Sequence, residues 1–451
     1  MQRLLAGASA VALPAEVGTP MMGYGARLGV SEAQHDPLFA RALHLRQVSG
    51  CLIVELDLCL LAPSQARDVR TRLAASTGLP EDQILIGCIH THSAPETGFG
   101  ALLGGQEAPP FVAPLLDAAV RAGEQAVASA RPARLGVGHA EARIGRNRRS
   151  QDGPIDPDVL VVRVDDDAGS PLAVLYVHGC HPTALGHDNL SLSADWPGAA
   201  ARTIEAALPG ATAIFALGAH ADVDPRTRGL LDLAVENQSV GVSFAETEAL
   251  GREIGTAVAE AAAGIETRAD ASVGARSARV AVPTLRAAPD GRARALAALG
   301  LPADSAARTG ELFALEHERT RDLPTDDRRE RIARVRAYLR DHTAWRFAFA
   351  EIPEVEVQVL RLGSARLAGF PAEPTVDVGL DWKSRVPGND AAVIGIANGW
   401  IRYLPHPRNF EEPLAHQKYE ILQATLVPDA ATTLLDEAAR LDAVLDAELG
   451  P

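Results

Sequence analysis

The sequence predicts an α/β protein: a layered mixed sheet flanked by helices, with an active site at the C-terminal ends of its strands. Two observations predict that class. Five short runs are apolar at nearly every position and end in Gly, Pro or polar residues, as strands covered on both faces do. Stretches with helical spacing lie among them, and strand–helix alternation of this kind builds layers.

Taken along the chain, the opening MQRLLAGASAVALPAE imitates a secretion signal, with one Arg, an apolar stretch and then small residues. It runs into GTPMMGYGARLG without a polar break, and its apolar stretch is short, so it is read as a first core strand. Residues 63–76 have helical spacing; ILIGCI (84–89) is the first of the five buried strands, and 111–130 is helical again. LAVLYV (172–177) and TAIFAL (212–217) are strands, with helices expected at 197–207 and 246–263. Segment 289–345 carries dense mixed charge on helix formers, which reads as a solvent-exposed helical excursion able to cover a site. ARLAGF (365–370) and AVIGIA (392–397) complete the strands. No repeat or linker divides the chain, so one catalytic domain over 1–451 is expected, without an additional C-terminal β-domain.

Composition narrows the function. The 451 residues are 47% hydrophobic and 22% charged, which is globular. With 58 acidic against 43 basic residues the net charge is −15, and without basic runs this argues against nucleic acid and anionic membranes as partners. No run reaches the ~18 apolar residues of a membrane span. Cys51, Cys59, Cys88 and Cys180 sit in or beside apolar runs with no CxxC pair, as buried free thiols of a reducing, cytoplasmic compartment do. There is no GxSxG elbow, phosphate loop or HExxH helix.

Each apolar run delivers a polar cluster at its C-terminal end. ILIGCI leads to His90-Thr91-His92-Ser93, LAVLYV to His178-Gly179-Cys180-His181, and TAIFAL to His220-Ala221-Asp222-Val223-Asp224. ARLAGF leads to Glu373, and AVIGIA to Asn398 through Tyr403. Ligands of α/β sheets bind beyond the carboxyl ends of strands. Imidazole nitrogens with a carboxylate suit zinc, with an open position left for water. Singly, each piece has an ordinary reading as a core histidine, an Asx-type turn or a cap. The two imidazoles of the HTHS turn are expected to point apart, so that only one is a ligand. His220, Asp222 and Asp224, with His178 and His187 near His181, also permit a two-metal site for phosphoester or peptide hydrolysis.

At these turns the sequence resembles the neutral/alkaline non-lysosomal ceramidase family. The matching pieces are Gly23 to Arg27, His90 to Ser93, Asn147 to Arg149, His181 to Thr183, Ser193 to Gly198, Asp222 to Pro225, Pro371 to Glu373 and Ala397 to Tyr403. The resemblance implies a zinc-dependent amide hydrolase with His90, His181, Glu373 and Tyr403 as zinc ligands. It implies His92 and Arg148 as pocket residues contacting the reacting carbonyl or the substrate. Asp224 stands where the family's DVSP turn has a serine implicated in catalysis, which leaves Asp224 as a general base or as a partner orienting His92. The implied reaction is cleavage of an amide, ester or lactone bond in a small or acylated substrate other than ceramide itself. A non-catalytic metal-binding scaffold is the remaining alternative, and oligomeric state is not legible.

Overall fold

The computed structural model describes residues 3–24, 27, 29–98, 108–228, 242–283, 302, 354–413, 415 and 418–450. Apart from Pro302, the charged segment 289–345 lies outside the described residues. Two sheets form the centre. The first contains β1 (Leu5–Ala12), β2 (Phe39–Arg46), β3 (Gly50–Leu56), β4 (Ile84–Cys88), β5 (Arg131–Glu141), β6 (Asp158–Asp166), β7 (Pro171–His178) and β8 (Thr212–Leu217). Their order is β8-β7-β6-β5-β1-β2-β3-β4. The pairs β7–β8 and β3–β4 are parallel and the rest antiparallel. The second contains β9 (Val273–Val280), β10 (Val355–Leu362), β11 (Ala365–Gly369) and β12 (Ala391–Ile394), paired in that order.

The helices are α1 (Pro63–Thr77), α2 (Val112–Ala128), α3 (Asp195–Ala207), α4 (Phe244–Gly264), α5 (Val376–Arg385), α6 (Pro407–Glu411), α7 (Tyr419–Gln423) and α8 (Ala430–Leu449). Alternation along each strand shows what covers it. On β3, Leu52, Val54 and Leu56 face α1 and α2 residues such as Val69, Leu73 and Leu115. The intervening Cys51 and Ile53 face Leu360, Leu362 and Leu367 of the second sheet. That sheet's other face, with Val357, Val359 and Val393, packs on Trp382 of α5 and Leu434, Leu435 and Leu441 of α8. The layers therefore run helix, sheet, sheet, helix. The all-apolar runs were expected to lie between helices, but a second sheet covers one face. Strand hydrophobicity reports that both faces are dry, and is silent about which element dries them.

The N-terminal segment forms β1, paired along its whole length with β2 and at Leu5 and Ala6 with β5. That short β1–β5 ladder joins two four-stranded halves, and the sheet rolls until edge strand β8 approaches β4 at the other edge. The roll matters because His90 follows β4 and His220 follows β8. Backbone hydrogen bonds then stitch the tips of both sheets: Gly395 N to Leu217 O (2.8 Å), Asn398 N to Ile86 O (2.7 Å) and Ala221 N to Pro374 O (2.9 Å).

One core group runs against the pattern. Glu55 on β3 is buried with neither carboxylate oxygen hydrogen-bonded, opposite Gly87 on β4, where a Cβ would stand 2.3 Å from Oε2. Burial, and then Asp57, push its carboxyl well above the usual carboxylate range. The unfolded chain gives up this proton first, so raising the pH above about 4.5 favours unfolding until the folded carboxyl ionises too. Glu55→Met is expected to stabilise the fold by about 1–3 kcal/mol, the desolvation cost of an unpaired polar group. Urea melts should show a larger gain at pH 8 than at pH 5; equal or negative changes would contradict this account.

Candidate metal centre

Four side chains from the rolled edges and the second sheet meet at one point. The Nε2 atoms of His181, His90 and His220 lie 3.4, 3.6 and 3.8 Å from Glu373 Oε2. All four residues are buried, at 3% exposure or less. Each imidazole has its Nδ1 tied to a backbone carbonyl: His90 to Cys59 O (2.8 Å), His181 to His220 O (2.7 Å) and His220 to Gly218 O (2.8 Å). A carbonyl accepts, so each Nδ1 donates and each Nε2 faces inward. The inward atoms His181 Nε2, His220 Nε2 and Glu373 Oε2 have no hydrogen-bond partner, which a buried polar atom tolerates poorly. Three imidazoles and a carboxylate fit a divalent transition metal such as zinc.

Local backbone explains the placement. His90 has φ 69°, a left-handed conformation that costs energy and turns the ring inward directly after β4. His220 has room because Gly395 faces it, where a Cβ would lie 2.9 Å from the ring. Burial and the neighbouring imidazoles push His220 well below the usual histidine range; burial, then Arg148, lowers His181. Burial also opposes a charge on His90, but Cys59 and Glu373 pull it above its ordinary value. Burial alone would raise the Glu373 carboxyl, yet His90 and His181 hold it well down. The pocket therefore keeps an ionised carboxylate that calls for positive charge beside it.

Of the expected ligands, His90, His181 and Glu373 are brought together. Tyr403 lies alongside, paired with Glu373 on a two-residue parallel ladder, its phenol 3.4 Å from Arg148 Nη2. Burial, with Glu373 and Tyr419, pushes that phenol well above its ordinary range. A third imidazole, His220 Nε2, joins them in the same cluster. The signal for it was present, since His220 ends an apolar run just as His90 and His181 do. His92 departs from expectation: its Nε2 is 3.3 Å from His90 Nε2, and the rings meet edge-on at 4.7 Å. Residues two apart in extended chain share a side, and the turn at His90 draws the two rings together.

The two-metal arrangement does not assemble among the described residues. Asp222 accepts from Val376 N (2.8 Å) and Asn147 Nδ2 (3.2 Å), which binds it to the start of α5. His178 gives its Nδ1 to Asp158 O (3.1 Å), and His187 packs 6.4 Å from the Tyr24 ring. A second group, Cys59 with His90 and His92, shares His90 with the first.

Arg148 is buried beside the cluster, donating from Nε to Glu420 (2.8 Å) and from Nη1 to Asp224 (3.2 Å). Asp224 also faces Arg228 at 3.6 Å and His181 Nδ1 at 3.7 Å. It thus stands behind His181 and does not orient His92. Burial would raise its carboxyl, but Arg228 and Arg148 hold it at about 2. So acidic a group is a weak proton acceptor at neutral pH. Glu420 and Arg228 had no sequence signal.

A family model for neutral/alkaline non-lysosomal ceramidase, N-terminal, matches residues 13–249. The chain belongs to this family. Among ceramidases, the neutral ceramidase of Mycobacterium tuberculosis (strain ATCC 25618 / H37Rv) is 26% identical over 463 residues, covering 89% of this chain and 70% of that protein. Neutral ceramidase A of Dictyostelium discoideum is 27% identical over 243 residues, covering 47% of this chain and 34% of that one. The crystal structure of neutral ceramidase from Pseudomonas aeruginosa superposes with a TM-score of 0.71 at 20% identity, over all of this chain and 75% of that chain. That likeness establishes the mixed α/β ceramidase fold. No helix among the described residues is long and apolar enough to cross a membrane.

Proposed function

We propose that this ceramidase-family chain is a metal-dependent hydrolase cleaving the C–N bond of an amide in a small or acylated substrate. The observation that supports it best is the convergence of three inward Nε2 atoms on the free oxygen of Glu373. His90, His181, His220 and Glu373 would hold the ion, with zinc as the metal. A bound zinc supplies Lewis acidity, polarising a carbonyl and lowering the pKa of water toward 7.

The chain's own groups do the rest. His92, beside His90 on the same turn, and Arg148, fixed by Glu420 and Asp224, are the groups available to meet the carbonyl oxygen as it gains charge. Water oxygen bonds to the carbonyl carbon and the C–N bond breaks; one water proton passes to the departing nitrogen and the other to solvent, so that a carboxylate and an amine leave. Asp224 is an ionised clamp in this scheme and not the base. That Asp224 stands at the position of the DVSP serine supports a substrate among amides other than ceramide.

The test is reconstitution. Chelator-treated protein is loaded with zinc, its metal content is measured, and it is screened against N-acyl amino acids, small amides, esters and lactones. About one zinc per chain with zinc-restored amide turnover is expected. Stoichiometric zinc with no turnover on any class would reduce the protein to a metal-binding scaffold.

A further inference from the structure

Glu373 has two oxygens, and the chain treats them differently. Oε2 faces the three imidazoles without a partner, whereas Oε1 accepts a 2.8 Å hydrogen bond from the indole Nε1 of Trp400. Trp400 is carried by a loop that pays for its shape: Ile396, Asn398 and Arg402 all have left-handed φ, at 53°, 62° and 81°. Such strain persists only where the surroundings over-determine it, and here they do. Asn398 bonds Ile86 on both sides, its N donating to Ile86 O (2.7 Å) and its Oδ1 accepting from Ile86 N (3.0 Å), and its Nδ2 donates to Gln358 (2.7 Å). Past the indole, the backbone N of Glu373 donates to Arg402 O (2.9 Å), and the Arg402 guanidinium lies 5.6 Å from the Trp400 ring. Carboxylate and indole are thus fixed by the same few residues.

We propose that Trp400 is a positioning residue for the metal centre, its indole N–H holding Glu373 Oε1 so that Oε2 alone is presented to the ion. The assignment rests on the metal-site reading above. A carboxylate released from such a bond swings, offers both oxygens or neither, and no longer matches the three fixed imidazoles. Loss of an outer partner of this kind typically weakens metal binding 10–100-fold.

The experiment measures zinc affinity by competition with a chromophoric chelator for the wild type, Trp400→Phe and Trp400→Gln, alongside visible spectra of the cobalt-loaded proteins. Trp400→Phe keeps a ring but no donor, and is expected to bind zinc about 10–100-fold more weakly with an altered cobalt spectrum. Trp400→Gln restores an N–H donor and is expected to recover part of the affinity. Melting of the metal-free proteins separates folding from binding; if the Phe variant does not fold, Trp400→Met makes the same comparison. Unchanged zinc affinity and cobalt spectrum in the Phe or Met variant would overturn the assignment, as would Gln binding as weakly as Phe. A wild type that takes up no zinc would instead overturn the metal site itself.

Discussion

His181→Ala is expected to leave a folded chain that no longer retains zinc, with affinity falling by more than about 1000-fold and amide turnover lost with it. The reasoning is geometric. His181 is the imidazole nearest Glu373 Oε2, at 3.4 Å, and its Nδ1 is fixed by the 2.7 Å bond to His220 O. Removing it opens a quarter of the donor set. His220→Ala and Tyr403→Phe form the deciding pair, since both side chains lie beside Glu373: zinc lost in the first alone makes His220 the fourth ligand, and zinc lost in the second alone makes it Tyr403. That contrast separates the ligand set drawn from the resemblance from the one drawn from geometry. Zinc at 1000 times its Kd stabilises the folded state by about 4.1 kcal/mol, so the wild type should melt far higher with zinc than without it. The His181→Ala variant should lose that increment while its metal-free melt stays near the metal-free wild type. A His181→Ala protein that still binds zinc tightly would remove the site from consideration.

Much of this arrangement could be read from the chain because the strands advertise themselves. ILIGCI, LAVLYV and TAIFAL are dry on both faces and each delivers a histidine at its end, so the direction of the site followed from periodicity alone. What periodicity lacks is order across the sheet. Nothing in those runs states that β4 and β8 are opposite edges, or that the sheet rolls to bring them together, so His220 was read with its neighbours Asp222 and Asp224 and not with His90. Asp222 looked like a ligand because its residue type is right; its carboxylate is consumed by the Val376 N–H and the Asn147 amide, partners far away in sequence. Trp400, Glu420 and Arg228 were illegible for the same reason. Each acts on a group brought near by tertiary packing, and none breaks a local rule that a reader of the sequence would notice.

Asp224→Ala is expected to destabilise the fold by about 3–5 kcal/mol, the usual cost of breaking a buried ion pair and stranding its partner. Asp224 is fully buried, and two guanidiniums depend on it: Arg148 at 3.2 Å and Arg228 at 3.6 Å. Arg148 retains Glu420 at 2.8 Å, so the loss falls short of a fully orphaned charge. The pH dependence carries the same sign. The folded carboxyl is held at about 2, below its ordinary 3.8, so the stabilisation is fully present above pH 3.8 and drains away as pH falls through 2. Guanidinium melts of wild type and Asp224→Ala should therefore differ most above pH 4 and converge in strong acid. Asp224→Ser, which restores the residue of the DVSP turn, removes the same charge and should be destabilised in the same direction, for Arg148 and Arg228 have settled around a carboxylate. A general base would behave otherwise: its loss would abolish turnover and leave stability nearly untouched. If Asp224→Ala melts with the wild type at neutral pH while turnover vanishes, the clamp is wrong and the carboxylate takes part in the proton transfers.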